Sequence, residues 1–160
     1  MSGKASSIQV TMFGKFSLQV GPLQLPETGH MHQLAHLLQL LLIYRNNTLT
    51  NAHIAQLLWE ENPPEHPENA LKNLVYRLRV QLVKLGIRNG RELIVHTDTG
   101  YAWNNRFSCQ IDREEFEQAF QEGMENIYDS KLALESFRTV IALYQGEFLP
   151  TSKAHAWTET

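Results

Sequence analysis

The chain has 160 residues with 42% hydrophobic and 19% charged side chains, a composition normal for a globular protein of one domain, or of one domain plus part of another. Its formal net charge is −3, which taken globally argues against a nucleic-acid partner. The charge is uneven, however: residues 66–106 hold seven basic and three acidic side chains, whereas 107–160 hold four and ten, and a polyanion meets the local field.

At the N-terminus, Ile8, Val10 and Met12 alternate with Gln9, Thr11 and Phe13, and after Gly14-Lys15 the residues Phe16, Leu18 and Val20 alternate with Ser17 and Gln19. A period of two predicts strand, turn and strand, and Gly21-Pro22 turns the chain again before Leu23 and Leu25, so a small antiparallel sheet opens the fold. From about Met31 to Tyr44 the residues Leu34, Leu37, Leu38, Leu41 and Leu42 keep helical spacing, and Arg45-Asn46-Asn47 stops the helix. A second helix is predicted from Thr50, a plausible N-cap, through Ile54, Leu57, Leu58 and Trp59. Glu60 to Pro67 is read as a loop because it holds three prolines.

The next stretch, Asn69 to Leu85, places leucines at 71, 74, 78, 82 and 85 on one helical stripe that must face a core. The opposite face carries Asn69, Asn73, Tyr76 and Val80, flanked by Lys72 and Arg79 on one side and Arg77 and Lys84 on the other, with no acidic residue among them. Such a helix suits a DNA major groove, where amides read base edges and cations hold phosphates. On this segment alone a merely solvated amphipathic helix fits as well. Gly86 suits the helix end, Arg88-Asn89-Gly90-Arg91 is a turn, and Leu93 to His96 with Tyr101 to Trp103 form a hairpin around Thr97-Asp98-Thr99-Gly100. Helix, turn, helix and hairpin in this order is the winged helix-turn-helix arrangement, so an α+β fold is expected.

Trp59 closing one helix, Asn69-Ala70-Leu71 opening the next, Tyr76-Arg77-Leu78-Arg79 within it and Thr99-Gly100-Tyr101 in the hairpin resemble the OmpR/PhoB-type winged-helix domain. The version most similar to this is that of bacterial transcriptional activators of the antibiotic regulatory (SARP) type. There a tetratricopeptide-like activator domain follows, whose start resembles Ile111-Asp112 to Phe116 and whose later part resembles Tyr144-Gln145-Gly146-Glu147-Phe148-Leu149-Pro150. The likeness spans residues 8–157 and implies a winged-helix domain over 1–106 and the start of a helical domain over 107–160. Two departures stand out. Ahead of the first helix, where that family usually has arginine or lysine, stand His30, His32 and His36, and the chain stops three residues after Trp157, which leaves open whether it is a piece of a longer protein. In the last third, Asp112 is expected to cap a helix with Glu115 at its third position and Phe116, Ala119 and Phe120 on its inner face. Ser130 is expected to cap a second helix.

Catalytic and metal chemistry find little footing. His32 and His36 are four apart but lack a third ligand of obvious placement, Glu114, Glu115 and Glu117 read as a wet surface, and Gly14, Gly21 and Gly100 serve turns rather than a phosphate loop. Cys109, the only cysteine, excludes an internal disulfide, favours a reducing compartment and is expected in the linker. No signal peptide is visible, and the apolar run Leu37 to Tyr44 is too short to span a bilayer. The expectation is a cytoplasmic, non-enzymatic, sequence-specific DNA-binding transcriptional regulator without cofactor, metal or membrane partner. Double-stranded DNA is its partner, with RNA polymerase or self-association on repeated sites as further possibilities. Base contacts are assigned to Asn73, Tyr76 and Arg77, with Val80 available for a thymine methyl, and phosphate contacts to Asn69, Lys72, Arg79, Lys84, Arg88 and Arg91. The competing class is a protein-interaction module whose basic face docks an acidic partner or the acidic tail of its own kind.

Overall fold

A computed structural model describes residues 8–26, 31–60, 62–87, 89–144, 146, 148 and 149. The fold is α+β. Strands β1 (Ile8–Thr11) and β2 (Ser17–Val20) pair antiparallel with Ile8 opposite Val20 and Val10 opposite Leu18, and all four of these side chains are buried, as the alternation requires. β3 (Leu23–Gln24) extends the sheet beyond β2.

Helix α1 (His32–Ile43) is buried along every position from Leu37 to Leu42, including Gln39 at 1% exposure, so it is the central helix rather than a surface one. α2 (Asn51–Leu58) starts as expected, with Thr50 Oγ1 accepting the His53 N–H at 3.0 Å. α3 (Pro67–Lys84) begins two residues before the sequence reading placed it. Pro67 does not close the preceding loop; it sits in the first helical turn, where a missing N–H costs nothing because no helical acceptor exists for it. The stripe Leu71, Leu74, Leu78 and Leu82, with Val75, is buried where α3 packs on α1 and α2. Gly86 takes φ +76° beyond the helix end, and Asn89, at φ 59°, leads into a 3₁₀ turn over Gly90–Leu93. The hairpin β4 (Ile94–His96) and β5 (Tyr101–Trp103) then runs with Ile94 opposite Trp103 and His96 opposite Tyr101, so Leu93 belongs to the turn and not to the strand.

β6 (Cys109–Ile111) pairs in parallel with β1 and completes the sheet order β3-β2-β1-β6. The sequence reading put Cys109 in a linker. Three residues are too few to display a period, and the pairing that makes them a strand lies with a segment near the other end of the chain. Burial pushes the Cys109 thiol up to about 12, against the lowering effect of the Arg45 guanidinium.

Helices α4 (Asp112–Glu125) and α5 (Ser130–Leu143) form an antiparallel pair in which the ring of Phe137 fills the space beside Gly123; an added Cβ there would lie 2.7 Å from it. Three expectations for this pair need correction. Asp112 is the first residue of α4 and not its cap, which is Ile111; its carboxylate reaches back across the sheet and accepts the N–H groups of Met12 at 2.8 Å and Phe13 at 3.1 Å. The cap of α5 is Asp129, whose Oδ1 accepts the Leu132 N–H at 3.3 Å, so Ser130 is the first helical residue. Phe120 touches Phe137 edge-on yet remains 48% exposed, and the buried inner positions of α4 are Ala119 and Gly123. Phe13 gathers Phe116, Tyr144 and Phe148 around it with centroids 5.0 to 5.9 Å away, and Arg45 at the end of α1 pairs with Glu114 at 2.5 Å. Burial desolvates the Asp112 carboxyl and moves it above its ordinary value, opposed by the donors from Phe13 and Met12.

Leu78 is 0% exposed and Val80 36%. Leu78→Ala should therefore cost about 2 to 5 kcal/mol, whereas Val80→Ala should cost below about 1 kcal/mol. Chemical denaturation of the two variants checks this, and equal losses would mean that the wrong face of α3 has been placed inward.

Candidate nucleic-acid interface

With its leucines committed to the core, α3 turns Asn69, Lys72, Asn73, Tyr76, Arg77, Val80 and Lys84 outward; all seven are exposed, Tyr76 at 65%. The four residues assigned to base contacts, Asn73, Tyr76, Arg77 and Val80, thus share one continuous face, with Lys72 and Lys84 beside it and Asn69 in the first turn. From Asn69 to Lys84 that face has no carboxylate, although Glu68 stands just before it. Arg91 is brought to the same end as Lys84, because Gly90 lies against the last turn of α3; a Cβ on Gly90 would be 3.3 Å from Val83 Cα. Lys72, Arg77, Lys84 and Arg91 make no ion pair or side-chain hydrogen bond among the described residues. Their charge is presented to solvent.

Arg79 is placed differently from the other cations of the helix. It is half-buried, donates from Nε and Nη2 to the Ile94 carbonyl at 3.1 and 2.6 Å, and holds its guanidinium 6.0 Å from the centre of the Tyr101 ring. The sequence could not reveal this, since helical spacing alone makes Arg79 an edge cation equivalent to Lys72. Arg88 and His30 lie outside the described residues. His32 and His36 line a cavity of about 240 Å³ with Phe16, Leu25 and Met31, between α1 and β2, and do not share the face of α3.

The hairpin is seated rather than projecting freely. The Asn51 N–H at the start of α2 donates to the Thr99 carbonyl at 2.9 Å, and Gly100 is packed so tightly there that a Cβ would fall 2.2 Å from the Leu49 carbonyl oxygen. The tip is closed by the Thr97 N–H on Gly100 O at 2.8 Å and the Gly100 N–H on Thr97 Oγ1 at 2.9 Å. Asp98 is exposed at that tip and His96 lies tilted against Tyr101 with ring centres 4.9 Å apart, so the hairpin itself brings one carboxylate and no permanent cation. Its positive charge comes from Arg91 at the base. No three His, Cys, Asp or Glu side chains among the described residues converge as metal ligands, and no described helix is long and apolar enough to cross a membrane.

No family model matches the chain. It is similar to the transcriptional regulatory protein MoaR1 of Mycobacterium bovis and of Mycobacterium tuberculosis, with 28% identity over 111 residues in each case. That similarity covers 68% of this chain and 35% of the relatives, so the matched region spans about a third of their length. The fold is that of Mycobacterium tuberculosis EmbR, solved in complex with a low-affinity phosphopeptide: the TM-score is 0.77 at 18% identity, covering 97% of this chain and 40% of the EmbR chain.

The contact of Gly100 with the start of α2 yields a test of how the hairpin is held. Gly100→Ala forces backbone against backbone and should destabilise the chain by about 1 to 3 kcal/mol, with the β4–β5 amides losing protection first. Hydrogen exchange read residue by residue checks it; unchanged protection would show that the hairpin is not seated on α2.

Proposed function

We propose that this chain is the DNA-binding part of a transcriptional regulator. In this reading residues 1–106 are a winged helix-turn-helix of the OmpR/PhoB type, α3 lies in the major groove and the β4–β5 hairpin touches the adjacent backbone. Residues 107–160 begin a tetratricopeptide-like activator domain. The observation that carries the reading is the exposed face of α3, where two amides and an aromatic lie between unpaired cations and carboxylates are absent. Similarity to transcriptional regulatory proteins supports it. Asn73, Tyr76 and Arg77 read bases, Val80 meets a thymine methyl, and Asn69, Lys72, Lys84, Arg88 and Arg91 hold phosphates. The acidic α4–α5 pair would be repelled by DNA, which leaves it for protein contacts such as RNA polymerase or a second copy on repeated sites.

Of the cations assigned to phosphate, Lys72, Lys84, Arg88 and Arg91 remain once Arg79 is set aside, and each neutralised phosphate contributes about 0.9 to the slope, so log affinity should fall with log salt at about −3.6. An electrophoretic shift with genomic fragments at several salt concentrations measures this; binding indifferent to salt, or no discrete complex with any fragment, would leave only the protein-interaction reading. Within a bound fragment, Asn73→Ala should cost about 1 to 3 kcal/mol on the preferred site and little on random DNA, while Lys84→Ala should weaken both alike. Equal losses on both DNAs for Asn73→Ala would assign that side chain to the backbone.

A further inference from the structure

We propose that Arg79 is a positioning residue: it clamps the free edge of the hairpin to α3 and so fixes the distance between the two DNA-contacting elements, instead of neutralising a phosphate. The proposal rests on the DNA-binding reading for its consequence, but its structural half stands without DNA. The Asn104 N–H donates to Leu93 O at 2.8 Å and the Thr97 N–H to Gly100 O at 2.8 Å, which makes both hydrogen-bonded pairs of the hairpin ladder. Such pairs alternate along an antiparallel ladder. Ile94, one residue beyond Leu93, therefore points its carbonyl away from β5, onto an edge with no neighbouring strand.

Arg79 supplies what that edge lacks. Two donors of one rigid guanidinium converge on the Ile94 carbonyl, and its central carbon lies 6.0 Å from the ring centre of Tyr101, a buried residue of the opposite strand. One side chain of α3 thereby grips both strands. A ladder of three pairs has little stability of its own, and its tip is already fixed by Asn51 and Gly100 on α2. With the tip on α2 and the edge on α3, the hairpin cannot pivot relative to either helix. Lysine keeps the charge but not the two-donor fork, so the substitution is not conservative here.

The test compares Arg79→Met, which keeps an apolar stem, and Arg79→Lys with the parent. In the free protein, amide exchange of Thr97 and Asn104 should quicken about tenfold in both variants, the equivalent of one bond of this kind, with α1 amides unchanged. On the preferred DNA site both variants should bind about tenfold more weakly with the parent's salt slope, and hydroxyl-radical footprints should lose protection on the hairpin side while keeping it in the groove of α3. A slope shallower by about 0.9 in Arg79→Met, with Arg79→Lys equal to the parent, would make Arg79 a phosphate contact and overturn the proposal. Unchanged hairpin exchange in both variants would overturn it too. If the parent binds no DNA, the DNA-binding reading fails on its own, and the exchange experiment still decides whether Arg79 holds the edge.

Discussion

The one-sided burial of α3 constrains everything that follows it. Leu71, Leu74, Leu78 and Leu82 are each buried to 4% exposure or less, and burying a leucine side chain is worth about 1.5 to 3 kcal/mol, so the stripe outweighs any preference of the polar residues between them. α1, buried itself from Leu37 to Leu42, offers the surface that receives the stripe. Rotating α3 by one position would expose leucine and bury Lys72 or Arg77, at a cost that no surface contact repays. The direction in which Asn73, Tyr76, Arg77 and Val80 point is therefore set by the core and not by their own chemistry.

A second set of interactions ties the acidic helical pair to this core. β6 extends the N-terminal sheet through β1, Asp112 takes the two backbone donors that follow β1, and Arg45 reaches from the end of α1 to Glu114. The aromatic group around Phe13 closes the same junction from its apolar side. A boundary near residues 106 and 107 consequently separates chemistries, basic before and acidic after, while the sheet runs across it.

Much of the architecture was legible because it rests on local patterns. Alternation in 8–20, the leucine spacing of α1 and α3, Thr50 as a cap and Gly86 as a helix end all report local physics. What stayed hidden depends on partners far away in the chain. Cys109–Ile111 becomes a strand only because β1 offers an edge, the Asp112 carboxylate reaches back to the Met12 and Phe13 N–H groups, and Arg79 leaves the solvent because Ile94 has a spare carbonyl. Pro67 misled for another reason: a proline that ends one helix and one that begins another look alike in sequence. For the candidate interface, periodicity could name which residues share a face, but not which cation on that face is already engaged.

The central claim, that the exposed face of α3 meets duplex DNA, is tested most directly by titrating the isotopically labelled chain with a short duplex and following its amide resonances. The account predicts shifts concentrated at Lys72, Asn73, Tyr76, Arg77, Val80 and Lys84, with a smaller set at the base of the hairpin around Arg91 and none along α4 and α5. Shifts confined to the acidic helices, or no shift on α3 at low salt, would contradict it.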